Sequence, residues 1–119
     1  MLPDRDSVRL RHMLLAAEEI IEFTRGCTRE DLSTNRMLML AVLRSIEVLG
    51  EAASRITPAG RARWPDVPWK AIIGMRSTLI HVYFDINLDN VWDTVISDIP
   101  PLRETLRRHL PPDLLDPNS

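Results

Sequence analysis

Ten consecutive residues, Gly74-Met75-Arg76-Ser77-Thr78-Leu79-Ile80-His81-Val82-Tyr83, set polar groups one after another inside an otherwise apolar stretch. On a helix, Ser77 and His81 are four residues apart and share a face. The Ser77 side chain, or a backbone carbonyl, can therefore orient one imidazole nitrogen. Arg76 and Tyr83 return to one stripe, and His81 lies about 140° from Arg76 on an ideal helix. One helix can thus present arginine, histidine and tyrosine around one cleft. Arginine stabilises extra negative charge on a phosphate, and histidine moves protons near neutral pH. These groups suffice for metal-free cleavage of RNA through its own 2′-hydroxyl. The spacing also leaves a structural role open. A histidine near a helix C-terminus complements the dipole and bonds the last carbonyls, and a tyrosine can be a core residue with a satisfied hydroxyl.

Other chemistry-bearing patterns are sparse. Glu47 and Glu51 share a helix face, but Arg44 precedes Glu47 by three residues and Arg55 follows Glu51 by four. That order predicts intrahelical ion pairs rather than an acid/base pair. No phosphate-binding glycine loop, nucleophile elbow or H-E-x-x-H is present. His12, His81 and His109 are far apart and none follows a glutamate by three residues, so neither a metal nor a cofactor is expected. His12, His109 and Cys27 receive no functional role.

The elements that must position the ten-residue stretch read as helices almost throughout. Leu10, Met13, Leu14, Ala17, Ile20 and Ile21 form an i, i+3, i+4 stripe over Ser7 to Arg25, with Asp4, Asp6 or Ser7 to cap it and Gly26 to end it. Cys27 to Thr34 is a connection with at most one short turn. A second helix runs from about Asn35 to Ile56, with Val42, Ile46, Leu49, Ala52 and Ala53 inward, and Thr57-Pro58 stops it. Pro58 to Pro68 reads as an ordered loop pinned by Trp64 and Trp69. Pro68 suits the first position of a third helix, from Trp69 to about Tyr83. A fourth helix, Leu88 to Ile99, buries Val91, Trp92, Val95 and Ile99, and Pro100-Pro101 breaks or kinks it. Leu102 to Leu110 continues as helix, and 111–119 reads as a frayed tail. No segment alternates with period two, so the fold class is all-α, an antiparallel bundle of four to five helices in a single domain. The first two helices are long for the chain and their stripes are wide, which points to a homodimer.

Composition agrees. The chain has 119 residues, of which 45% are hydrophobic and 27% charged, enough for one domain with a real core. Cys27 is the only cysteine, which excludes an intrachain disulfide scaffold. No apolar run approaches the ~20 residues needed to span a bilayer. The first residues, MLPDRDSVRLRH, are charged and lack a signal-peptide core. A soluble, cytoplasmic protein is expected. A net charge of −2 argues against non-specific coating of nucleic acid but permits a local phosphate site.

Arg76, the four residues Ser77 to Ile80, His81, Val82 and Tyr83 spell R-x4-H-x-Y. This resembles the motif of the HepT toxins, within the HEPN superfamily of helical RNases. The likeness extends to Ala41 through Ala53, Pro68-Trp69, Gly74-Met75-Arg76, Tyr83-Phe84, Val91-Trp92 and Ile99-Pro100-Pro101-Leu102, and covers roughly residues 5–110. The resemblance implies a HEPN-type bundle acting as a homodimer with both motifs facing a shared cleft. It implies a metal-independent endoribonuclease toxin, with Arg76 stabilising the phosphorane-like transition state and His81 as general acid/base. It also implies a nucleotidyltransferase antitoxin, as in HepT/MntA pairs, that silences the toxin by transferring AMP to Tyr83. Ser77 departs from the pattern, since that position is usually Asn or Asp in HEPN motifs. The alternative is a non-catalytic HEPN dimer that binds a nucleotidyltransferase or a nucleotide through Arg76 and His81.

Overall fold

The computed structural model describes residues 4–79 and 86–115, and of residues 76–79 only the backbone. All regular structure among the described residues is helical apart from an isolated bridge residue at Ile86. Helix α1, Arg5–Thr24, starts at Asp4, whose carboxylate accepts from the Ser7 N–H at 2.9 Å and from the Ser7 hydroxyl at 2.8 Å. It ends before Gly26, whose φ of 73° is the left-handed conformation that favours glycine. A short helix follows, α2 (Arg29–Thr34), held at its start by the Thr28 N–H donating to Asp31 at 2.7 Å. Asn35 then caps α3, Arg36–Ser54, by accepting from the Leu38 N–H.

Helices α1 and α3 form the centre of the bundle and run antiparallel. Two hydrogen bonds fix the register. The Thr57 hydroxyl, just past α3, donates to Asp6 at 2.6 Å, and the Ser45 hydroxyl donates to Glu19 at 3.2 Å. Between them lie Leu10, Met13, Leu14, Ala17 and Ile20 from α1 and Val42, Ile46, Leu49 and Ala53 from α3, all fully or almost fully buried. The expected stripes of both helices are thus the core stripes.

The stretch after Thr57 is more regular than a loop. Pro58–Arg63 forms a helix, α4, capped by the Thr57 hydroxyl accepting from the Gly60 N–H at 3.0 Å. Gly60 packs so close to α1 that a Cβ there would collide with the Asp6 carboxylate. Helix α5, Trp69–Leu79, begins on the Pro68 carbonyl, which accepts from Ile72. Pro68 therefore stands just before the first helical residue.

Helix α6, Leu88–Asp93, passes without a break through a π-helical turn, Thr94–Asp98, into α7, Ile99–His109. The expected interruption at Pro100-Pro101 takes this form for a simple reason. Neither proline has an N–H, and each ring crowds the carbonyl four residues back. Widening the preceding turn, with the Ile99 N–H bonded to the Thr94 carbonyl, makes room while the helix continues. Helix α7 lies on α1, buries Leu102 and Leu106, and brings Arg103 and Arg107 to Glu18 at 4.0 and 3.7 Å. The expected frayed tail is instead ordered over Pro112–Leu115, which form a short helix, α8, because Leu114 packs into the core; residues 116–119 lie outside the described residues. No helix among the described residues is long and apolar enough to cross a membrane.

Candidate active site

Two of the sequence-derived site residues, Arg76 and Ser77, lie on the last turn of α5. His81 and Tyr83 lie outside the described residues. What the structure supplies is the frame that fixes both sides of the motif.

On the entry side, α5 is anchored from below. The Trp69 indole N–H donates to the Trp64 carbonyl at 3.0 Å, and Trp64 is itself buried. Ile72 is buried to 1% exposure and Met75, directly before Arg76, to 9%. Gly50 of α3 faces the Ile72 backbone, where a Cβ would come within 3.4 Å of the carbonyl oxygen. A residue near the end of α3 thus meets one near the start of α5, and the two helices pack against each other. The position of α5 is thus set by close helix–helix packing.

On the exit side, Asn87 caps α6 by accepting from the Asn90 N–H at 3.0 Å. Arg29 of α2 donates to Asp89 of α6 at 2.6 Å. Residues 80–85 are therefore bracketed by two anchored helix ends, one held by α3 and one by α2.

Two grooves flank this frame. One, of about 580 Å³, runs between α5 and the π turn with α7, over Ala71, Ile72, Met75 and Leu102, with hydroxyls from Thr94, Ser97 and Thr105. Its rims carry Asp66 and Asp98, so it repels phosphate. In the sequence only the Pro100-Pro101 pair, which forces the π turn, foreshadows it. The other groove, of about 630 Å³, lies between α1 and α3 and is lined by Arg9, His12, Arg44, Glu47, Glu51 and Arg55. Within it the expected ion pairs form: Arg44 to Glu47 at 3.6 Å and Arg55 to Glu51 at 2.9 Å. The two glutamates are thus ladder partners, as their spacing indicates.

His109, assigned no chemistry, has a structural place. Its Nε2 lies 2.6 Å from Asp66, and its ring sits beside Trp64. The hydrogen bond from His109 holds the Asp66 carboxyl below the usual carboxylate range. This clasp ties the end of α7 to the turn that launches α5.

Comparison with known proteins now places this frame. The family model described as "Ribonuclease HepT-like" matches residues 13–109, which takes in both flanks of the motif and the motif itself. A protein of Caldanaerobacter subterraneus subsp. tengcongensis named "Putative RNase TTE0752" is 38% identical over 101 residues, covering 85% of this chain and 90% of that one. One from Methanocaldococcus jannaschii, named "Putative RNase MJ1380", is 37% identical over 95 residues, covering 80% and 87%. One from Thermococcus cleftensis named "Probable ribonuclease HepT" is 38% identical over 96 residues, covering 78% and 87%. No solved structure matches the chain with significance. An all-α bundle of this helix order, matched along nearly its whole length, belongs to the HepT-like ribonuclease family.

Proposed function

We propose that the chain is a metal-independent endoribonuclease, the toxin of a two-component toxin–antitoxin pair, acting as a homodimer in the cytoplasm. The observation that carries this reading is R-x4-H-x-Y at Arg76, His81 and Tyr83, inside the family match and on the last turn of α5 and directly after it. In this reading His81 accepts the proton of an RNA 2′-hydroxyl. The 2′-oxygen attacks the adjacent phosphorus, and Arg76 stabilises the added negative charge of the phosphorane. The P–O5′ bond breaks, the 5′-oxygen takes up a proton, and a 2′,3′-cyclic phosphate remains. Ser77 orients the imidazole. A nucleotidyltransferase antitoxin silences the site by adding AMP to Tyr83, because a bulky anionic group there fills the cleft and repels RNA phosphate.

The test is RNA cleavage in EDTA by protein whose Tyr83 is shown unmodified by intact mass, beside His81→Ala. The expected result is cleavage with cyclic phosphate ends, reduced ~10²-fold or more in the variant. A folded, unmodified protein that cuts no RNA in a broad set refutes catalysis. It would leave Arg76 and His81 as groups that bind the nucleotidyltransferase or a nucleotide.

A further inference from the structure

The groove between α5 and the π turn with α7 holds a polar group that no described residue satisfies. Thr94 lines the groove and is only 6% exposed. Three other helical threonines, Thr24, Thr34 and Thr105, donate their hydroxyls to the carbonyl four residues before, at 2.8, 3.2 and 3.1 Å. The Thr94 hydroxyl makes no such bond and has no partner among the described residues. A buried hydroxyl left in this way is destabilising until something else bonds to it. The groove, of about 580 Å³, has the size of a small-molecule site. Its floor is apolar, with Ile72, Met75 and Leu102 all buried.

The other polar groups around it want donors. Ser97 and Asp98, one turn after Thr94, line the groove with it. Asp98 is exposed, caps no helix N–H through its side chain and makes no ion pair among the described residues. Asp66, on the rim, is already held by His109 at 2.6 Å and Arg108 at 3.6 Å, so Asp98 is the open charge. Pro101 has no N–H, so the Ser97 carbonyl, four residues before it, has no α-helical donor. No lysine, arginine or histidine lines the groove among the described residues.

We propose that this groove binds a small organic cation, an apolar body ending in a primary ammonium. An ammonium carries three donors and no acceptor, which matches the Asp98 carboxylate, the Thr94 hydroxyl and Ser97. The body lies on Ile72, Met75 and Leu102, where burial of apolar surface favours it. The apolar floor also lowers the local dielectric, so the Asp98 charge acts more strongly than it would in open water. An anionic ligand meets repulsion from Asp98 and Asp66, and a neutral one leaves Asp98 without a counter-charge. This binding does not depend on the ribonuclease chemistry above.

The experiment follows the isotope-labelled methyl of Met75 by NMR while phenethylamine, phenethyl alcohol or phenylacetate is added to the full chain at neutral pH. Comparison with Met75→Leu identifies the signal. Phenethylamine, protonated at that pH, is expected to shift it saturably, in the millimolar range or tighter. Phenethyl alcohol should bind about 10-fold more weakly, and phenylacetate should leave the signal unmoved. Asp98→Asn, at an exposed position that caps nothing, should weaken phenethylamine about 10-fold and erase its preference over the alcohol. Thr94→Val, which keeps the shape and removes the hydroxyl, should weaken it about 5-fold, with folding checked by circular dichroism. A Met75 methyl that ignores phenethylamine, an alcohol that binds as tightly as the amine, or a folded Asp98→Asn chain that keeps the preference would each overturn the site.

Discussion

Replacing Gly60 by alanine should loosen the joint between α1 and α4, and a partner substitution should show why. A Cβ at Gly60 would overlap the Asp6 carboxylate and crowd Ile56 Cγ2 at 2.9 Å. Asp6 is the end of a short side chain and can swing away, but it then loses the Thr57 N–H at 3.0 Å and the Thr57 hydroxyl at 2.6 Å. Hydrogen bonds to a charged group contribute about 1.5–3 kcal/mol when well formed. These two are exposed, and water replaces part of the loss, so the pair is worth about 2 kcal/mol. Gly60→Ala should therefore cost about 2–3 kcal/mol, with the gain in helix propensity offsetting up to about 1. That is a large share of the roughly 5–15 kcal/mol expected for a domain of this kind. Asp6→Ala should cost about 2 kcal/mol alone. The double variant should cost about 1–2 kcal/mol less than the sum, since the carboxylate that alanine displaces is already gone. Urea unfolding of the four proteins at constant m measures the coupling. Strict additivity, or a Gly60→Ala chain as stable as the parent, would refute the account of the joint.

The remaining expectations concern the start of α1 and the support under the motif. Asp4 is held at a pKa of about 2 by the Ser7 backbone N–H first and then by Arg63, against an ordinary 3.8. Its contribution is fully present above about pH 4 and is lost as pH falls through about 2. Asp4→Asn should flatten that part of an acid titration of stability, while Asp4→Ala should cost about 1 kcal/mol at neutral pH as a lost cap; an unchanged acid limb in Asp4→Asn would contradict this. Ile72→Ala, at a fully buried core position of α5, should cost about 2–4 kcal/mol. It should also speed amide hydrogen exchange in α5 more than in α1, and a uniform change across both helices would count against the view that the burial of Ile72 steadies α5 locally.

How much of this was legible beforehand differs by level. The R-x4-H-x-Y string, a cap among Asp4, Asp6 and Ser7, the glycine end of α1 at Gly26 and the inward stripes of α1 and α3 are local, and local chemistry specifies them. A capping carboxylate or a 3.6-residue period acts over a few residues, so the chain carries it in plain order. The Arg44–Glu47 and Glu51–Arg55 pairs were readable for the same reason. Other features depended on partners far along the chain. That Pro58–Arg63 is a helix follows from Thr57 capping it and from Asp6, fifty-one residues earlier, holding Thr57. That Pro100-Pro101 widens a turn instead of ending a helix depends on α7 burying Leu102 and Leu106 against the core, so packing holds the helix together where local sterics alone would break it. His109 offered no sign of its clasp on Asp66, because that contact exists only once α7 folds back over the turn before α5. The sequence by itself therefore determined the long helices, their inner faces and the residues that can do chemistry. Only the tertiary structure decided where α5 stands against α3, because that choice is made by side chains distant in sequence competing for the same buried space.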